Sequence, residues 1–216
     1  MPLSGTRGGS RLDPMREQKI GAWLDDLASG APAPGGGAVA AMHAAMAAAL
    51  VSMVCELTVG RPKYAEHEPT MREALARATE HRQTAVELAD ADAEAFTGVT
   101  DAYRLPKATD EEKAARSAAI QESLVRAADV PLRTAALAAE ILELARRIRP
   151  GANVNVLSDV AVAAVSTRAA MQAAAVNVAV NRASMTDVAT RARLETELAR
   201  IGEEVAAAEK FIEELA

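Results

Sequence analysis

Two stretches of this 216-residue chain, 37–59 and 153–182, are apolar on nearly every helical face, and they restrict what the chain can fold into. A helix that is apolar all round needs protein on most of its sides, so the remaining sequence must supply the elements that surround these two. Hydrophobic residues make up 50% of the chain but aromatics only 2%. The core is therefore built from Ala, Leu, Val and Met, whose small side chains let helices approach closely. No run of alternating β-branched residues competes with the helical period. The expected fold class is all-α, a helical bundle with two central apolar helices wrapped by amphipathic ones.

The periodicity predicts helices at 15–29, 37–59, 66–103, 110–129, 131–149, 153–182 and 185–215. Gly60 followed by Pro62 is a stop signal, as are Pro106 and the pair Pro150–Gly151. "TDEE", Thr109 to Glu112, has the spacing of a capping box. Pro131 is expected to break the helix or start a new one, because it lacks the N–H that a mid-helix position donates. One domain is expected over 15–216. The leader "MPLSGTRGGSRLDP", 1–14, has no apolar centre of the signal-peptide kind and reads as disordered.

A net charge of −6 and a pI near 5.2 argue against nucleic acid as a partner. A membrane is not expected either, since Ala drives insertion weakly and His43, Ser52 and Glu56 interrupt the first apolar run. The one cysteine, Cys55, cannot form an internal disulfide and fits a reducing cytoplasm. His43 falls on the stripe Val39, Met46, Leu50, Met53, Leu57 and reads as a core histidine. With no second His or Cys at ligand spacing nearby, no metal site is expected.

Several polar residues break these patterns. The stripe Ala85, Leu88, 92, Ala95, Val99, Ala102 runs in steps of three and four, and position 92 is Asp. A carboxylate on a core stripe costs several kcal/mol unless paired or protonated, which raises its pKa toward the range of a general acid or base. The competing reading is a structural ion pair with Arg168, which interrupts the stripe Ala161, Ala164, Met171, Ala175. Asn177 and Asn181 share a helical face; they either bond each other and nearby backbone or present donors and acceptors to a heterocycle. In "GANVNVLSD", capping accounts for Ser158 and Asp159 more readily than for Asn153. "GRPKY" and "LPK" place Arg61, Lys63 and Lys107 near helix C-termini, as dipole decoration or as anchors for an anionic substrate. Gly35, Gly36 and Gly37 form a turn without side chains that offers backbone N–H groups at a helix start.

Taken together, "PAPGGGAVAA" (32–41), "SMVCELTVGRPKY" (52–64), "DADAEAFTGVTDAYRLPKATDEEKAAR" (90–116), "VPL" (130–132), "NVNVLSD" (153–159) and "NVAVNRASMTD" (177–187) resemble the cyclodeaminase domain of formiminotransferase-cyclodeaminase and its stand-alone bacterial relatives. The resemblance covers about residues 20 to 212. It implies an all-α bundle that dimerises and a tetrahydrofolate substrate, with or without an anionic polyglutamate tail. It implies catalysis by Asp92 of the D-A-x-A-F motif with Lys107 of "RLPK". It implies a folate pocket that includes Asn153, Asp159, Asn177 and Asn181, alongside the anion and ring-docking roles of Gly35, Gly36, Gly37, Arg61 and Lys63. No prosthetic group is required. Cyclodeamination of 5-formiminotetrahydrofolate to the 5,10-methenyl form is the preferred activity and methenyltetrahydrofolate cyclohydrolase the alternative; a silent bundle that binds folate or a protein is the rival of another class. Any formimino substrate is expected to come from a separate protein. Ala152 between Gly151 and Asn153 departs from the family's adjacent Gly-Asn.

Overall fold

A computed structural model describes residues 15–215; the expected leader 1–14 lies outside the described residues. Six α-helices carry the fold: α1 (Ile20–Leu27), α2 (Gly36–Glu56), α3 (Glu68–Arg104), α4 (Asp110–Ile148), α5 (Leu157–Ala183) and α6 (Val188–Glu213). Short 3-10 turns precede α1 and join α2 to α3 and α4 to α5. Among the described residues there is no β-strand.

The helices form a layer in the order α3, α2, α5, α6, with α4 lying behind it and touching all four. The buried side of α2 is its alanine side: Ala40, Ala41, Ala44, Ala47, Ala48, Val51 and Cys55 are fully inaccessible. Small side chains bring the neighbouring helix axes close, so many weak contacts replace a few large ones. This reverses one expectation. The stripe of Val39, His43, Met46, Leu50, Met53 and Leu57 is the outward one, with Met46 48% exposed and His43 half-buried rather than in the core. The valines Val162, Val165, Val176 and Val180 of α5 are exposed as well. Both central helices therefore turn an apolar side away from α4 that no described element covers. By length and composition α2 and α5 could each cross a membrane, yet 61% of the α2 window is buried inside the bundle.

The expected break at Pro131 is absent: α4 runs unbroken from Asp110 to Ile148 with Pro131 buried inside it. A proline at this position leaves the carbonyl of Ala127, four residues earlier, without its helical donor. The Asn181 amide fills that gap, Nδ2 donating to the Ala127 oxygen at 3.1 Å. The capping box at the start of α4 is present, with Glu112 N donating to Thr109 Oγ1 at 3.2 Å and Thr109 N to Glu112 Oε2 at 3.2 Å. At the end of α2, Gly60 adopts φ 74°, a left-handed turn that suits glycine.

Candidate active site

The first helical turn of α2 and the middle of α3 meet with no side chain between them. A Cβ on Gly37 would overlap the Asp92 carboxylate, so only glycine lets that carboxylate lie against the helix start. There Asp92 Oδ2 accepts from the backbone N–H of Ala38 at 3.0 Å, one of the α2 donors that no helical carbonyl can satisfy. Asp92 thus caps a helix other than its own. Burial raises its pKa above the usual carboxylate value, and the Ala38 hydrogen bond partly offsets the rise. Arg168 does not pair with it: Arg168 Nη1 meets Glu209 Oε1 at 3.3 Å across α5 and α6. The structural ion pair weighed as the competing role of Asp92 is not formed.

Asp92 opens onto a cleft of about 290 Å³ walled by α2, α3, α4 and α5. Gly35, Gly36 and Gly37 form one end; Asn177 and Asn181 stand on α5, and Phe96, Val99 and Tyr103 continue along α3. Asn177 Nδ2 donates to the Ala173 carbonyl at 2.9 Å, and Asn181 Nδ2 also reaches the Asn177 carbonyl at 3.0 Å. Backbone thereby takes two bonds from the Asn181 amide and one from that of Asn177, which orients each side chain and leaves its oxygen free to accept. The reading in which the pair bonds nearby backbone is the one these contacts show. A larger depression of about 540 Å³ lies on the outer surface between α3 and α4, lined by Glu94, Arg126 and Asp129 among others. It is more open, and its buried polar side chain, Ser123, already donates to the Ala119 carbonyl at 2.8 Å, so the smaller cleft with the Asp92 carboxyl is the better chemical site.

Of the other expected site residues, four stand at the opposite end of α2, about 30 Å from Gly36 by helical rise over its 21 residues. Arg61 and Lys63 are exposed in the turn after α2, Lys63 Nζ lying 5.3 Å from the Tyr64 ring centre. Asn153 is buried and fully engaged: Nδ2 donates to the Leu57 carbonyl at 3.1 Å, and Oδ1 accepts from Asn155 N at 3.1 Å and from the Tyr64 hydroxyl at 3.4 Å. It fastens the α4–α5 connection to the end of α2. Asp159 lies in the first turn of α5 at that same end. Lys107 is exposed in the loop after α3, more than three turns of helix beyond Asp92. Within one chain these five residues do not enter the cleft with Asp92. Among the described residues no three His, Cys, Asp or Glu side chains group as metal ligands.

Sequence reasoning missed Phe96, Tyr103, Leu124 and Ala127 as cleft residues. Phe96 and Tyr103 stand four and eleven residues after Asp92, a helical spacing that could have placed them on its face. Leu124 and Ala127 left no such signal, since the pairing of α4 with α3 is tertiary.

Fold and cleft together define an all-α bundle protein in which a carboxyl of raised pKa lines a ligand-sized cleft. The chain belongs to the formiminotransferase-cyclodeaminase family, whose sequence profile matches residues 19–200. It is 48% identical over 170 residues to a methenyltetrahydrofolate cyclohydrolase of Methylorubrum extorquens, covering 79% of this chain and 82% of that one. It is 36% identical over 171 residues to a formimidoyltransferase-cyclodeaminase of Rattus norvegicus, of which it spans 32%. The crystal structure of a formiminotetrahydrofolate cyclodeaminase from Thermotoga maritima superposes with a TM-score of 0.82 at 28% identity, covering 93% of this chain and 96% of that one.

Proposed function

We propose that this chain is an enzyme of folate one-carbon chemistry and that it hydrolyses 5,10-methenyltetrahydrofolate to the 10-formyl form. The observation that carries the acid–base part is Asp92, desolvated and without a cationic partner at the floor of the cleft. The choice of hydrolysis over cyclodeamination, which the sequence alone put first, rests on the 48% relative and its 82% coverage.

In the hydrolytic direction water attacks the methenyl carbon while the Asp92 carboxylate takes its proton, which gives a neutral tetrahedral adduct. The protonated Asp92 then gives that proton to N5 as the C–N5 bond breaks. Loss of the hydroxyl proton to solvent completes the formyl group, so one proton is released per turnover. In cyclodeamination, starting from the protonated formimino group, the same carboxyl would take the proton from N10 as it attacks the formimino carbon and return it to the departing ammonia. Neither direction changes the oxidation level of the carbon, so neither needs a redox cofactor. The Asn177 and Asn181 oxygens would accept from ring N–H groups, and the glycine turn would admit a flat ring against backbone.

A cytoplasmic homodimer completes the proposal, with a second copy covering the apolar sides of α2 and α5. Val180 belongs both to that face and to the cleft lining, so the partner would approach the cleft mouth. The deciding assay follows the methenyl absorbance. Its enzyme-dependent loss above the spontaneous rate supports hydrolysis; its appearance with ammonia from formiminotetrahydrofolate supports cyclodeamination; binding of either compound without turnover returns the silent bundle.

A further inference from the structure

The chain has one Trp, two Tyr and two Phe. Two of these, Phe96 and Tyr103, are 47% and 48% exposed, and both line the cleft. They stand seven residues apart on the face of α3 that carries Asp92, so helical rise places them about 6 Å and about 16 Å beyond it. Half-exposed aromatics at fixed intervals from an acid–base group leave apolar area that a bound ring would cover.

Tyr103 is also braced. The Arg116 guanidinium lies 5.5 Å from its ring centre, and Arg116 Nε and Nη2 both donate to the Tyr103 carbonyl, at 3.2 and 3.1 Å. Arg116 Nη1 has no protein acceptor, and no carboxylate lies within ion-pair distance of Arg116 among the described residues. A half-buried cation with an unused corner sits at the outer end of the aromatic row.

We propose that Phe96 packs against the p-aminobenzoyl ring of the substrate and that Arg116, held by Tyr103, receives its glutamyl carboxylate, so the substrate tail leaves along the C-terminal end of α3. This rests on the folate reading above and fixes the direction in which the substrate lies. The carbon between N5 and N10 must sit at Asp92. The benzoyl ring, attached to N10, then falls one helical turn along, and the glutamate falls further out in the same direction. The tail passes toward Lys107 and away from Arg61 and Lys63, which stand at the far end of α2.

The test compares methenyltetrahydrofolate with its pteroate analogue, which lacks the glutamate. In Arg116→Gln the KM for the full substrate should rise about tenfold to a hundredfold, the loss of one charge-assisted pair. kcat and the KM for the pteroate analogue should stay near wild type, which also shows that the variant is folded. Phe96→Ala should raise both KM values. A comparable rise for both substrates in Arg116→Gln, no rise for either, or a glutamate-specific rise in Lys63→Gln instead would overturn the inference while leaving the reaction standing. If wild type turns over neither compound in either direction, the inference falls together with the folate reading.

Discussion

At the scale of single residues, Asp92 and Gly37 act as a pair, because the carboxylate reaches its position only where the helix start carries no Cβ. Its raised pKa has a defined sign in stability. A carboxyl whose folded pKa lies above its unfolded value favours folding most when protonated, at pH below the unfolded value. That contribution is lost as pH rises through the folded pKa. Asp92→Asn cannot ionise, yet it keeps an oxygen for the Ala38 N–H. The variant should lose about 100- to 10,000-fold in turnover. In thermal melts it should be as stable as wild type or more so at neutral pH, with the difference closing in acid. A large loss of stability at neutral pH would instead mark Asp92 as a structural anchor. The anomaly itself was legible, since an Asp interrupting an apolar stripe is visible in sequence. Its partner was not, because Ala38 contributes through backbone, and backbone groups leave no residue-type signal.

At the scale of elements, α4 shows what single-chain patterning cannot supply. Pro131 reads correctly as a lost donor, and the error lies in assuming that only a break can follow. Asn181 replaces the donor from another helix, fifty-four residues away. Asn181→Ala should therefore cost about 1–3 kcal/mol in chemical denaturation by stranding the Ala127 carbonyl. In a Pro131→Ala background the restored N–H can take its place, so the same change should cost measurably less. Equal costs in both backgrounds would show that the Ala127 contact contributes nothing. On α2 the polarity of the helix was misread for a related reason. Large residues mark a core when helices pack at ordinary distance, whereas here close approach selects alanine for the inside and leaves Met46 and Met53 outside.

At the scale of the whole molecule, the all-α class and a partly uncovered bundle were both legible from the two apolar segments, but which side of each segment stays uncovered was not. If a second copy covers α2 and α5, wild type should sediment as a dimer. The double variant Met46→Glu, Met53→Glu should sediment as a monomer with its helix content kept, since both side chains are already outside the core. A monomeric wild type would remove the second copy from the proposal. The spread of the expected site residues over both ends of α2 was equally invisible, because motif order along a chain carries no distance.

The bond from Asn181 to the Ala127 carbonyl also has a consequence in time. In chain order α4 precedes Asn181, so until α5 is in place the Ala127 carbonyl has only solvent to donate to it. The longest helix of the bundle thus depends on the second central helix for the donor that its own proline withholds.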